Sequence, residues 1–323
     1  MTKARVSLTR FTVVLVLSPW LFGAEGDGAP SPELNGFLIE RHAVPRDQIL
    51  AGGPPRDGIR SVDEPSFVAP REASWVAPTT PVLGVAIGGE ARAYPVHVIE
   101  YHQVVNDELA GVPVVVTFDP LTGTPRAYRR RVDGRSLQFG VSGLVYTSNF
   151  LLYDRQSESL WSQFLGTAIS GPLARRTLER VRIRQEPFAL WLKRHPNTRV
   201  LARPAPKHID YRYSPFTTYW VTRKIPFPVP ATDHRYHPKE VMLGVEVNDR
   251  QRAYLGSLLT AAGGRIVDEF QGRKIRISYD TQLNTFSWEA PDDARVTDAY
   301  WFAWKAFHPD TEIWNDRNPA IQE

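Results

Sequence analysis

Leu83 to Tyr94 reads LGVAIGGEARAY, and Leu243 to Tyr254 reads LGVEVNDRQRAY. Six of the twelve positions agree, and a turn falls at the same place in both. In the first stretch, Val82 to Ile87 and Glu90 to Tyr94 flank Gly88-Gly89. That pattern predicts a β-hairpin, because glycine supplies the positive φ of a tight two-residue turn. Pro95 suits the first turn of a helix, expected over Val96 to Val105. Val112 to Phe118 is a nearly continuous β-branched run, which predicts a buried strand.

The correspondence continues outward. Asp107-Glu108 with Gly111 matches Asp268-Glu269 with Gly272, and Thr117-Phe118-Asp119 matches Ser278-Tyr279-Asp280. WLKRHPNT (Trp191 to Thr198) matches WKAFHPDT (Trp304 to Thr311). His195 and His308 precede prolines in both, which reads as helix termination. The offset falls from 161 to 113 residues, so the first copy carries roughly 48 residues that the second lacks. The expectation is an α+β fold of two related hairpin–helix–strand units from an internal duplication, with mostly antiparallel sheet. Unit one would span 82–201 with an insertion at about 124–172, and unit two 241–313.

Residues 27–81 are rich in Pro, Gly and charge and read as an extended arm. Met1 to Gly26 has the pattern of a secretory signal: Lys3, Arg5 and Arg10, then the apolar stretch Phe11 to Phe22, then Ala24-Glu25-Gly26. Twelve apolar residues are too few to span a bilayer, which takes about 20. Export to the periplasm or beyond is expected, with no transmembrane span after cleavage. Cleavage lowers the formal net charge from +4 to +2, too small to argue for nucleic-acid binding. The chain has 323 residues, 42% hydrophobic and 23% charged, with 27 Pro and no Cys. Thiolate metal sites, disulfides and a cysteine nucleophile are therefore excluded.

The unshared segment FGVSGLVYTSNFLLYDRQSESLWSQ, Phe139 to Gln163, is dense in hydrogen-bonding side chains. As a site it would offer Ser142, Tyr146, Asn149, Asp154 and Gln163 to a ligand, beside Thr122 and Asn106 of the first unit. As plain structure, Asp154 to Ser157 caps a turn. His102 and Asn106 are four apart on the expected helix and share a face. If that helix packs on the strand ending at Asp119, His102 and Asp119 would form an acid–base pair. The alternative is an Asx-turn, since Asp280 keeps the carboxylate in the second copy without a nearby His. His97 and His102 point about 140° apart and cannot share an ion. His234 and His237 lie in a Pro-rich loop, and two ligands make no zinc site. No nucleophile elbow or phosphate loop occurs.

From Leu83 to His308 the sequence resembles a bacterial family, domain of unknown function 3179. The resemblance is carried by GEARAYP (Gly89 to Pro95), YHQVVND (Tyr101 to Asp107), VVVTFDPLTGT (Val114 to Thr124), the Phe139 to Gln163 segment, and YWFAWKAFHPDT (Tyr300 to Thr311). It implies an exported protein of no assigned activity. Where Asp119 stands, the family's turn usually carries Cys, so a thiol role implied by the family does not carry over. The expected function is binding of a small ligand or ion near His102, Asp119 and residues 139–163, with the cofactor unknown and no metal ligands assigned. The alternatives are a hydrolase- or lyase-like enzyme using His102 and Asp119, and an envelope scaffold.

Overall fold

Gly88 and Gly89, at φ 56° and 86°, turn the strand Pro81–Ile87 back onto Glu90–Pro95, and Leu83 pairs with Tyr94. The computed structural model describes residues 33–204 and 209–315; the signal-like stretch Met1 to Gly26 lies outside them. Pro95 caps the helix Val96–His102, which ends where Gln103 takes a left-handed conformation at φ 59°. A meander follows: Val104–Leu109, Val112–Asp119 and Thr124–Arg129 pair in sequence. The middle strand is buried from Pro113 onward, as its apolar run requires.

Next comes a five-stranded sheet. Phe139–Tyr146 and Asn149–Asp154 form its central hairpin. Leu160–Ser162 and Ala168–Ser170 extend one side, and Ile49–Ala51, from the stretch read as an arm, closes the other. A further sheet holds the hairpin Val241–Val247 and Arg250–Leu255, with Leu243 opposite Tyr254. Arg295–Tyr300 flanks it antiparallel and Glu312–Ile313 parallel. Arg265–Phe270, Arg273–Asp280 and Thr285–Glu289 make a three-stranded sheet.

This corrects the expected α+β class of two duplicated hairpin–helix–strand units. Strand makes up 43% and helix 13% of the described residues, and the many sheets stand in a propeller-like arrangement. The α-helices are four to seven residues long, two turns at most, too short to form a layer of their own. They turn corners between strands. Hydrophobic periodicity detects such a helix but not whether it is long enough to be architecture. The 139–163 segment, within the insertion expected at about 124–172, holds the central hairpin of its own sheet.

Close packing sets the sheet-to-helix spacing. A β-carbon added to Gly84 would lie 2.3 Å from the Trp191 ring, and one on Gly244 2.2 Å from the Trp304 ring. Each indole donates to a threonine seven residues on, Thr198 and Thr311, at 2.9 Å. His195 and His308 are the C-caps of these two helices, as the His-Pro reading requires.

Candidate ligand site

Asp119 ends its strand fully buried. A buried carboxylate needs donors, and the turn that follows supplies one: the Leu121 N–H at 2.8 Å, an Asx-turn. The others come from the neighbouring sheet, Asn149 Nδ2 at 2.8 Å and the Phe150 N–H at 3.0 Å. Burial still pushes the Asp119 carboxyl above its usual range, against the pull of those bonds. Asn149 Nδ2 also reaches Thr122 Oγ1 at 3.1 Å and Gln163 Oε1 at 2.9 Å. Gln163 Nε2 donates to Thr117 Oγ1 and to the Thr124 carbonyl. Asp119, Thr117, Thr122, Thr124, Asn149 and Gln163 are all 0% exposed. A satisfied network of this kind rigidifies its surroundings. The hairpin turn beside it is strained: Thr147 and Ser148 both have positive φ, 52° and 61°, unusual for a β-branched residue.

Above this floor lies a less satisfied group. Glu100, on the helix Val96–His102, is 2% exposed. Its Oε2 accepts from Ser214 Oγ at 3.0 Å, and its Oε1 has no hydrogen-bond partner among the described residues. Burial pushes its carboxyl up to about 7, with the Ser214 bond opposing. Gln103, 6% exposed, likewise leaves Oε1 without a partner. The Tyr300 hydroxyl is raised by burial and then by the nearby Glu100 and Asp119 carboxylates. Tyr219 is raised by burial and then by Asp119 and Tyr300. Backbone bonds set these residues around the Asp119 turn: the Phe118 N–H donates to the Gln103 carbonyl at the helix end at 3.0 Å, and the Tyr300 N–H to the Thr122 carbonyl at 2.8 Å. The Tyr300 ring also lies over Gly123, where a β-carbon would meet it at 3.0 Å.

Residues 209–222 cover the group. Tyr101 donates to the Tyr213 carbonyl at 2.6 Å, and Tyr219 to the Leu121 carbonyl at 2.8 Å. Lys239 clamps the segment from beneath, donating to the Tyr219 and Thr222 carbonyls and packing over the Tyr219 ring.

Residues 56–295 match a family model described as a protein of unknown function, DUF3179. The chain belongs to that family. The match spans Glu100, Gln103, Asp119, Asn149 and Gln163 and stops short of Tyr300. No curated protein and no solved structure matches the chain.

In this family member, Asp119, Thr122, Asn149 and Gln163 meet in the network. The other expected site residues do not join it. His102 is buried, with Nδ1 2.8 Å from the Arg60 carbonyl and Nε2 2.7 Å from the Tyr211 hydroxyl. The carbonyl requires an Nδ1–H, so neutral His102 accepts from Tyr211 at Nε2. Both nitrogens are engaged, neither by Asp119. Asn106 bridges Asp63 and the Phe139 backbone. Ser142 ties a register shift in its hairpin, donating to Leu151 O and accepting from Leu144 N. Tyr146 sets its ring edge-on to Phe307. Asp154 accepts from Ser157 N and Trp161 Nε1, which is the turn-capping role. Glu100, Gln103, Tyr219 and Tyr300 were not singled out by sequence reasoning. The available signal was a lone acid in the apolar turn Val98-Ile99-Glu100.

Two other places compare poorly in this member. Glu186 is 1% exposed with neither oxygen hydrogen-bonded, but Arg194 Nε stands 3.4 Å from Oε1 and balances its charge. A groove of about 340 Å³ on the Arg265–Phe270 sheet is lined by Arg265, Val267, Arg276 and Trp288 among others. None of its lining residues has a buried polar atom lacking a partner. Among the described residues no group of three or more His, Asp or Glu could hold a metal ion.

Proposed function

We propose that this protein binds a small polar ligand between the helix Val96–His102 and the Asp119–Thr124 turn, beneath residues 209–222. The observation that carries the reading is the buried Glu100 carboxyl oxygen without a partner. Leaving such an acceptor unpaired costs about 1–3 kcal/mol, more when charged, which a ligand's donor would recover. Gln103 adds a second acceptor at a strained position, and strain of this kind gathers at ligand clamps.

Residues 209–240 make a suitable cover. Their only helix is Thr217–Trp220, and long connections with little structure of their own are commonly lids or binding loops. Tyr211 and Tyr236 anchor the segment in the core, and between them Tyr213 and Val221 turn outward, 67% and 80% exposed.

The enzyme reading, with His102 and Asp119 as an acid–base pair, draws no support from the engaged nitrogens of His102. The scaffold reading leaves the unpaired acceptors without a role. Export, read from Met1 to Gly26, belongs to the same proposal, and cell fractionation tests it. Among the described residues no helix is long and apolar enough to cross a membrane.

Native mass spectrometry of protein purified without dialysis tests the binding reading. The wild type should carry a small-molecule adduct that Glu100→Gln loses. A bare wild type, or an adduct equally present on Glu100→Gln, contradicts it.

A further inference from the structure

We propose that the ligand of the Glu100 site is a small organic cation carrying an N–H-bearing ammonium group. This rests on the reading above and names its ligand class. A buried carboxylate is normally paired with a cation or fully hydrogen-bonded. Glu100 has neither. Only the Ser214 hydroxyl bonds it, and no lysine or arginine is among the groups acting on it. The second nearby carboxylate, Asp119, is held by N–H donors of Asn149, Phe150 and Leu121 rather than by a cation. Lys239, packed over Tyr219, already spends its ammonium on the Tyr219 and Thr222 carbonyls and the Thr222 hydroxyl. Glu100 therefore lacks a counter-charge of its own.

The chemistry of the unpaired atoms narrows the class. Glu100 Oε1 and Gln103 Oε1 are both acceptors, both buried, and three residues apart at one helix end. Two free acceptors ask for a ligand with at least two N–H donors, which a primary ammonium has and a quaternary one lacks. The ring of Tyr300 suits a cation as well, whereas that of Tyr219 already carries the Lys239 ammonium. An inorganic divalent ion is the poorer fit. It wants six or more oxygens, and the described residues offer no carboxylate or imidazole cluster for it.

The test is a thermal-shift and calorimetric series on the full chain at pH 8, with each probe at about 10 mM, since fragments this small bind weakly. The probes are methylammonium, ethanolamine, choline, ethylene glycol, acetate and calcium. Methylammonium and ethanolamine should stabilise the protein. Choline should bind at least tenfold more weakly than ethanolamine. Glu100→Gln should lose at least tenfold in ethanolamine affinity, and so should Gln103→Leu, a second variant should the first fold poorly. Binding of ethylene glycol, acetate or calcium that depends on Glu100, without binding of either ammonium probe, overturns the ammonium class and leaves the site standing. Binding of no probe by a protein that also carries no native adduct overturns both.

Discussion

The amide nitrogen of Asn149 donates to the fully buried carboxylate of Asp119 at 2.8 Å, joining two sheets whose strands are 30 residues apart. Asn149 also receives the Phe164 N–H on its own oxygen at 3.0 Å. Asn149→Ala therefore removes one of three donors to Asp119, which keeps the Phe150 and Leu121 N–H groups, and leaves the buried Phe164 N–H without its acceptor. We expect a loss of about 1–3 kcal/mol of stability, the cost of one unsatisfied buried group. Urea denaturation measures it. A loss near zero would mean that water or rearrangement replaces these bonds.

Glu100 gives a pH prediction. Its carboxyl stands at about 7 in the folded chain, above the roughly 4.3 of an unfolded glutamate. The folded state holds its proton longer. The stability this lends is fully present below about pH 4 and is lost as pH rises to 7 and beyond. Asp298, pushed to about 7 by burial, adds a loss of the same sign. Glu100→Gln removes one part. It should leave stability nearly unchanged at pH 4 and raise it by about 1–3 kcal/mol at pH 8. Denaturation curves at the two pH values decide this; a lower stability of Glu100→Gln at pH 8 would contradict it.

His102 gives the opposite slope. Burial lowers its pKa, against the bond to the Arg60 carbonyl. Its stabilising share is fully present above about 6.5, the unfolded value, and is lost as pH falls below that and through the lowered folded value. Nitrogen-15 spectra at pH 6.5 should show a neutral ring with the proton on Nδ1. A doubly protonated ring at that pH would reopen the acid–base reading.

Gly84 is placed for close packing. With the Trp191 ring 2.3 Å from where a β-carbon would stand, Gly84→Ala must displace a buried indole or the strand. Overpacking of this order costs about 1–3 kcal/mol or more. A drop in melting temperature of several degrees is expected, and an unchanged value would mean that the indole has room to move.

Some of this was legible in the residues. Gly88-Gly89 and the β-branched run at Val112 marked the hairpin and the buried strand, and the His-Pro pairs marked two helix ends. The class was not legible, because one-turn and two-turn helices leave the same local pattern as helices that form a layer. The density of hydrogen-bonding residues in 139–163 pointed to Asn149, which bonds Asp119, and to Gln163, which bonds Asn149. Glu100 escaped notice for a physical reason. Periodicity assumes one buried face, yet Val98, Ile99, Glu100 and His102 are all buried. The contact that covers Glu100 comes from Ser214, 114 residues away, and no local pattern records it.

The most direct measurement is a crystal structure of the protein with whichever probe stabilises it most. Density is expected within hydrogen-bonding distance of both Glu100 Oε1 and Gln103 Oε1, with the Asp119–Asn149 bond unchanged. Density seated instead in the groove of Arg265 and Arg276, with the Glu100 site empty, would contradict it.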